Sequence, residues 1–213
     1  MLDSIKFIDG GITAAKGFTA SGYNCGIKAG RTKNDTALVY SEKLCNASGV
    51  FTRNIVKAES VKYTQQILKN GKAQAAIVNV GYANACTGEQ GAQVAKKMAI
   101  AAANALNINP DDVIVCSTGI IGQQVPVEKI EKNIMNLKNG LSKEGHKDAS
   151  IGIMTTDTQN KECAVQFELD GKVVTIGTMC KGSGMIHINM GTMLGFIATD
   201  CNITSAMLDK ALH

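Results

Sequence analysis

Lys181-Gly182-Ser183-Gly184-Met185-Ile186-His187-Ile188-Asn189-Met190-Gly191-Thr192-Met193-Leu194 is the stretch on which the reading of this chain turns. Glycine-rich backbone runs into an apolar segment, and one hydroxyl residue, Thr192, directly follows a glycine. Glycine has no side chain, so other atoms can approach the Gly191 carbonyl, and its backbone reaches dihedrals closed to other residues. Thr192 could then turn its hydroxyl back onto that carbonyl. An N-to-O acyl shift and hydrolysis of the resulting ester would cut the chain between Gly191 and Thr192. The cut would leave Thr192 with a free α-amino group of pKa about 7.7–8.0, close enough to neutral to act as base for the neighbouring hydroxyl. On spacing alone, an ordinary turn or strand start is the plainer reading of a Gly-Thr pair.

Length and composition narrow the classes. The 213 residues suffice for one substantial domain or two small ones, and a hydrophobic share of 45% fits a packed core rather than a disordered chain. The N-terminus, Met1-Leu2-Asp3-Ser4-Ile5-Lys6-Phe7, lacks the apolar run of a signal peptide, and no apolar stretch is long enough to span a bilayer. A soluble, cytoplasmic protein is the expectation, with no membrane partner. The net charge of +4 is spread among acids, and aromatic content of 4% without tryptophan leaves little surface on which nucleic-acid bases could stack. Seven cysteines form no C-x-x-C pair and only three histidines are present, so a zinc site has little support. Reduced, mostly buried thiols are expected instead.

Along the chain, the first thirty residues read as loops and short strands. A strand over 35–40 and a second over 48–54 would pair antiparallel across the 41–46 connection. Apolar spacing predicts a helix over 61–68, ended by Asn70-Gly71, and a buried strand over 75–80. An alanine-rich helix over 90–106 would bury Val94, Met98, Ala101, Ala102 and Leu106. A strand over 112–116 opens into Ser117-Thr118-Gly119, and Pro126 starts a helix facing Val127, Ile130, Ile134, Leu137 and Leu141 inward. Residues 151–154 read as an apolar strand before Thr155-Thr156-Asp157-Thr158. Alternating runs over 164–169 and 172–178 flank Asp170-Gly171, a strong hairpin signal. A strand over 194–198 and a helix starting at Ser205 complete an α/β chain with mixed or antiparallel sheets sandwiched by helices.

Several of these segments carry a resemblance. Lys181-Gly182-Ser183-Gly184-Met185-Ile186 and Asn189-Met190-Gly191-Thr192-Met193-Leu194 closely resemble the processing site of the ornithine acetyltransferase family, the glutamate N-acetyltransferases of arginine biosynthesis. Gly49-Val50-Phe51-Thr52-x-Asn54, Asn79-x-Gly81-x-Ala83-Asn84-Ala85-Cys86-Thr87-Gly88, Ser117-Thr118-Gly119-Ile120-Ile121-Gly122 and Met154-Thr155-Thr156-Asp157-Thr158 are similar to further motifs of that family. Tyr82 is a departure, since asparagine is usual there.

The resemblance implies a self-processing fold with an N-terminal threonine nucleophile. Residues 1–191 would form a first (α) chain and 192–213 the start of a second (β) chain. It implies Thr192 as nucleophile, the Thr118 hydroxyl and Gly119 N–H as oxyanion hole, and Thr158, Lys181 and Thr192 as substrate contacts. Read without the resemblance, Ser117-Thr118-Gly119 is an ordinary strand-to-helix turn, residues 155–158 a surface turn, and Lys181 a solvated lysine. Cys86 is assigned a structural role. The implied reaction moves an acetyl group from N2-acetylornithine to glutamate through an acetyl-threonine ester. It needs no metal or organic cofactor, although acetyl-CoA is a further possible donor, and the implied assembly is α2β2. Family members continue well beyond the cut, so a truncated, split or degraded copy is expected here. A related self-processing aminopeptidase and a non-catalytic subunit needing a partner chain are the alternatives.

Overall fold

Asp170 and Gly171 both adopt left-handed backbone, with φ of 50° and 71°. Such a pair lets a two-residue turn match the twist of the strands it joins. It connects β6 (Lys161–Leu169) to β7 (Lys172–Lys181), paired antiparallel along their length. β1 (Lys6–Ile8) lies beside β6 and β8 (Leu194–Thr199) beside β7, giving an antiparallel sheet of order β1-β6-β7-β8. This computed structural model describes residues 5–186 and 189–213. Met1–Ser4 of the N-terminal stretch, and His187 and Ile188 of the 181–194 stretch, lie outside the described residues.

A second sheet has the order β2-β3-β4-β5. β2 (Phe18–Tyr23), β3 (Thr36–Asn46) and β4 (Lys72–Tyr82) are antiparallel neighbours, whereas β5 (Val113–Ile120) runs parallel to β4. A parallel neighbour requires a crossover, supplied by α2 (Gly88–Leu106). Alternation along these strands sorts their side chains between two cores. Leu38, Ala75, Ile77, Val113 and Val115 face α2 and α3 (Val127–Asn139), packing with Met98, Ile130 and Leu137. The intervening residues Ala37, Val39, Ala76 and Val78 face the first sheet, where they meet Met179 and Ala198. Ala149 and Ile153, in and just after the short helix α4 (His146–Gly152), fill the same layer. The second sheet therefore carries helices on both faces. α1 (Glu59–Ile67) runs into a 3-10 turn over Leu68–Asn70, which Gly71 ends with a φ of 68°, and α5 (Ser205–Leu212) is capped by the Thr204 side chain.

The α/β class and most elements agree with expectation, and four local readings are corrected. Residues 48–54 form no strand, because β3 continues through 41–46 and its two edges are already taken by β2 and β4. Residues 151–154 are not a strand but the end of α4 and the turn after it. Leu141 lies beyond α3, and Ala101 and Leu106 are only partly buried against the helical core. The thiols are not mostly buried: only Cys25 is, while Cys86 and Cys163 are exposed and the other four lie between. Among the described residues, no helix is long and apolar enough to cross a membrane.

Candidate active site

Lys181 owes its position to strand alternation. Thr175, Gly177, Met179 and Lys181 occupy the buried face of β7, and Lys181, at the strand end, is only 1% exposed. A buried ammonium is costly unless its hydrogens are satisfied. Nζ of Lys181 donates to the Gly182 carbonyl at 2.7 Å and to the Thr192 carbonyl at 2.5 Å. Burial lowers the Lys181 pKa, opposed by the negative charge of Asp157 and reinforced by the positive charge of Lys161. The solvated-lysine reading is thereby corrected.

Lys181 also pairs with Leu194 across β7 and β8. The connection between those strands thus leaves and returns at one point, which sets Gly182 and Ser183 beside Thr192. Oγ1 of Thr192 lies 2.7 Å from Oγ of Ser183. Thr192 has φ 59°, while Asn189 and Met190 have φ 44° and 64°. Left-handed backbone is uncommon for residues with side chains and strained for a β-branched one. Strain is therefore concentrated on both sides of Gly191.

Two distant segments hold the connection in place. Oγ1 of Thr52 donates to the Asn189 carbonyl at 2.7 Å. The Gly182 N–H donates to Oδ1 of Asp157 at 3.0 Å, and Nζ of Lys161 donates to the same oxygen at 2.7 Å. Burial raises the Asp157 pKa, but the Lys161 and Gly182 hydrogen bonds outweigh it and hold the carboxyl below its ordinary value. Thr158, one residue on, lines a separate cavity of about 340 Å³ with Lys33, Ile151, Met154, Gln159 and Asn160.

Thr118 and Gly119 lie within β5 rather than in a turn. Thr118 is buried and follows Ile114 and Cys116 on the face toward the first sheet, the same layer into which Lys181 points. Gly119 (φ 137°) sits against Gly81 so closely that a Cβ there would come within 2.3 Å of the Gly81 carbonyl carbon. Among the described residues no hydrogen bond joins Thr118 or Gly119 to Thr192 or Lys181. The structure thus brings Lys181, Gly191 and Thr192 together and leaves Thr118, Gly119 and Thr158 on neighbouring elements.

The Asn84 motif is a structural turn. Asn84 is buried, its Nδ2 donates to the Gly91 carbonyl at 2.9 Å, and its Oδ1 accepts from the Thr87 hydroxyl at 2.8 Å. Tyr82 packs against the helical core, and Cys86 lies exposed in the turn at φ 56°. Among the described residues, no cluster of three His, Cys, Asp or Glu side chains could hold a metal ion. Sequence reasoning gave no role to Ser183, Asp157 or Thr52. Ser183 carried a signal, a hydroxyl within the glycine-rich 181–194 stretch, whereas the other two act across long sequence separations.

Comparison with known proteins identifies the family. The chain is 52% identical over 207 residues to the "Arginine biosynthesis bifunctional protein ArgJ" of Caldanaerobacter subterraneus, covering 97% of this chain and 51% of that protein. It is 47% identical to the Symbiobacterium thermophilum protein of the same name, covering 98% and 52%. It therefore spans about half the length of these curated relatives. Among solved structures, the ArgJ protein of Bacillus halodurans superposes with a TM-score of 0.81 at 37% identity, covering 89% of this chain and 98% of that one. Ornithine acetyltransferase of Mycobacterium tuberculosis, solved with ornithine, gives 0.78 at 37% identity, covering 91% of this chain and all of that one. Residues 19–213, nearly the whole sequence, match the ArgJ family, and the chain belongs to it.

Proposed function

We propose that this chain is the self-processing portion of an acetyltransferase of arginine biosynthesis, moving the acetyl group of N2-acetylornithine to glutamate. The observation that carries the reading is the Lys181–Thr192 carbonyl contact beside a strained Gly191–Thr192 junction. Cleavage there divides the chain into residues 1–191 and 192–213, and frees the Thr192 amine to serve as base for its own hydroxyl. The hydroxyl attacks the acetyl carbonyl, Thr118 and the Gly119 N–H stabilise the resulting anion, and ornithine departs. Glutamate then collects the acetyl group from the threonine ester.

Thr158 and Lys181 contact the substrate in this scheme, the lysine exchanging the backbone carbonyls it now holds for a substrate carboxylate. The reaction uses no metal or organic cofactor, with acetyl-CoA as an alternative donor. The assembly is α2β2 and the setting cytoplasmic. Two further observations support the reading. The Mycobacterium tuberculosis relative was solved with ornithine. The chain's identity of 52% to the Caldanaerobacter subterraneus protein named for arginine biosynthesis is the second.

The test is Thr192→Ala, expected to abolish both cleavage and acetyl transfer. Transfer is assayed with this chain alone and with the C-terminal half of a full-length relative supplied in trans. A cleaved, active Thr192→Ala protein would contradict the proposal.

A further inference from the structure

Ser183 sits between two glycines on the exposed connection after β7, yet its hydroxyl is tied down on every side. Oγ accepts the Met185 N–H at 3.1 Å, lies 3.0 Å from the Met185 carbonyl, and lies 2.7 Å from Oγ1 of Thr192. A serine hydroxyl has one proton to give and two lone pairs to receive. One lone pair is used by the Met185 N–H. The proton has the Met185 carbonyl as its acceptor, since a carbonyl cannot donate. Either hydroxyl can donate across the 2.7 Å contact; with the Ser183 proton on the Met185 carbonyl, the remaining lone pair faces Thr192 and the donor is Thr192.

We infer that Ser183 is a positioning residue for self-cleavage, accepting the Thr192 O–H so that the lone pairs of Thr192 Oγ1 stay free to attack the Gly191 carbonyl. The inference rests on the cleavage proposed above and adds to it the group that orients the attacking oxygen. In that step the Oγ1–C bond to Gly191 forms and the Gly191 C–Thr192 N bond breaks. Thr192 gives up its hydroxyl proton and the departing nitrogen takes one up, so none is consumed. Water then splits the ester into the Gly191 carboxyl and the restored Thr192 hydroxyl. Ser183 fixes the side-chain rotamer and proton direction of Thr192 without forming a bond to carbon. Nearby, Lys181 fixes the following carbonyl and Thr52 the preceding loop.

The test follows the cleavage of freshly purified protein by intact mass for the wild type, Ser183→Ala and Ser183→Thr. Ser183→Ala is expected to slow cleavage about tenfold, the equivalent of one hydrogen bond. Ser183→Thr, which keeps the hydroxyl, is expected to restore the rate. Ser183 is exposed, so both variants should melt with the wild type, which separates this role from a structural one. Equal rates for wild type and Ser183→Ala overturn the inference. A wild type that never cuts contradicts self-cleavage itself, and the Ser183 contact is then decided on the uncut chain by NMR couplings across the Thr192 χ1 bond. A single rotamer that becomes averaged in Ser183→Ala upholds the contact, and couplings unchanged by the substitution overturn it.

Discussion

A threonine at φ 59° beside an ammonium and a second hydroxyl is an expensive arrangement, and each part of it lies within fourteen residues of sequence. Thr118 belongs to the same scale but to a different element. It is buried on β5, facing the layer between the sheets. Thr118→Val keeps its shape and removes only the hydroxyl, so the fold and its melting temperature should survive. If Thr118 supplies an oxyanion donor, kcat for acetyl transfer should fall about 10²–10³-fold with little change in KM. A variant with unchanged kcat would remove Thr118 from the mechanism. The burial of Lys181 was not legible in the sequence, where it read as a solvated lysine: it is in phase with Thr175, Gly177 and Met179, and neither threonine nor glycine marks a strand face as inward. Its two backbone carbonyl partners were hidden too, since neither is specified by side-chain identity.

At the scale of elements, the loop between α4 and β6 docks onto the β7–β8 connection through Asp157. Its side chain is 4% exposed, and one oxygen serves both Lys161 and the Gly182 N–H. Although burial pushes the carboxyl up, those partners hold its folded pKa below the ordinary value of 3.8. The sign follows by linkage: the unfolded chain takes up the proton first as pH falls. The stabilisation is therefore complete above pH 3.8 and is lost as pH drops through the lower folded value. Asp157→Asn should lower stability at pH 7 in urea titrations, with the gap to wild type closing at acid pH. A gap independent of pH would show that the charge is not what matters. The elements best read from sequence were those with local signals, such as the Asp170-Gly171 hairpin and the Gly71 stop after α1. The parallel pairing of β4 and β5 is set by a crossover of thirty residues, and α4 is too short to show a helical period. The false strand at 48–54 arose because local alternation says nothing about whether a sheet edge is free.

Across the whole molecule, the segment after Thr192 is built into what precedes it. β8 pairs with β7 from Leu194 to Thr199. Nδ2 of Asn46 donates to the Ile203 carbonyl at 2.7 Å, Oγ of Ser205 to the Gly71 carbonyl at 2.6 Å, and Oγ of Ser48 to Oδ1 of Asp209 at 2.9 Å. A cut at Gly191 should leave these contacts intact. The two pieces should then co-elute on gel filtration and separate only in denaturant, whereas a small fragment eluting alone would contradict such anchoring. Everything rests on whether that cut occurs. Intact mass of the purified protein tests it most directly. Two species dividing between Gly191 and Thr192 are predicted, with Thr192→Ala remaining whole. A single uncut wild-type species of 22.4 kDa would contradict the account.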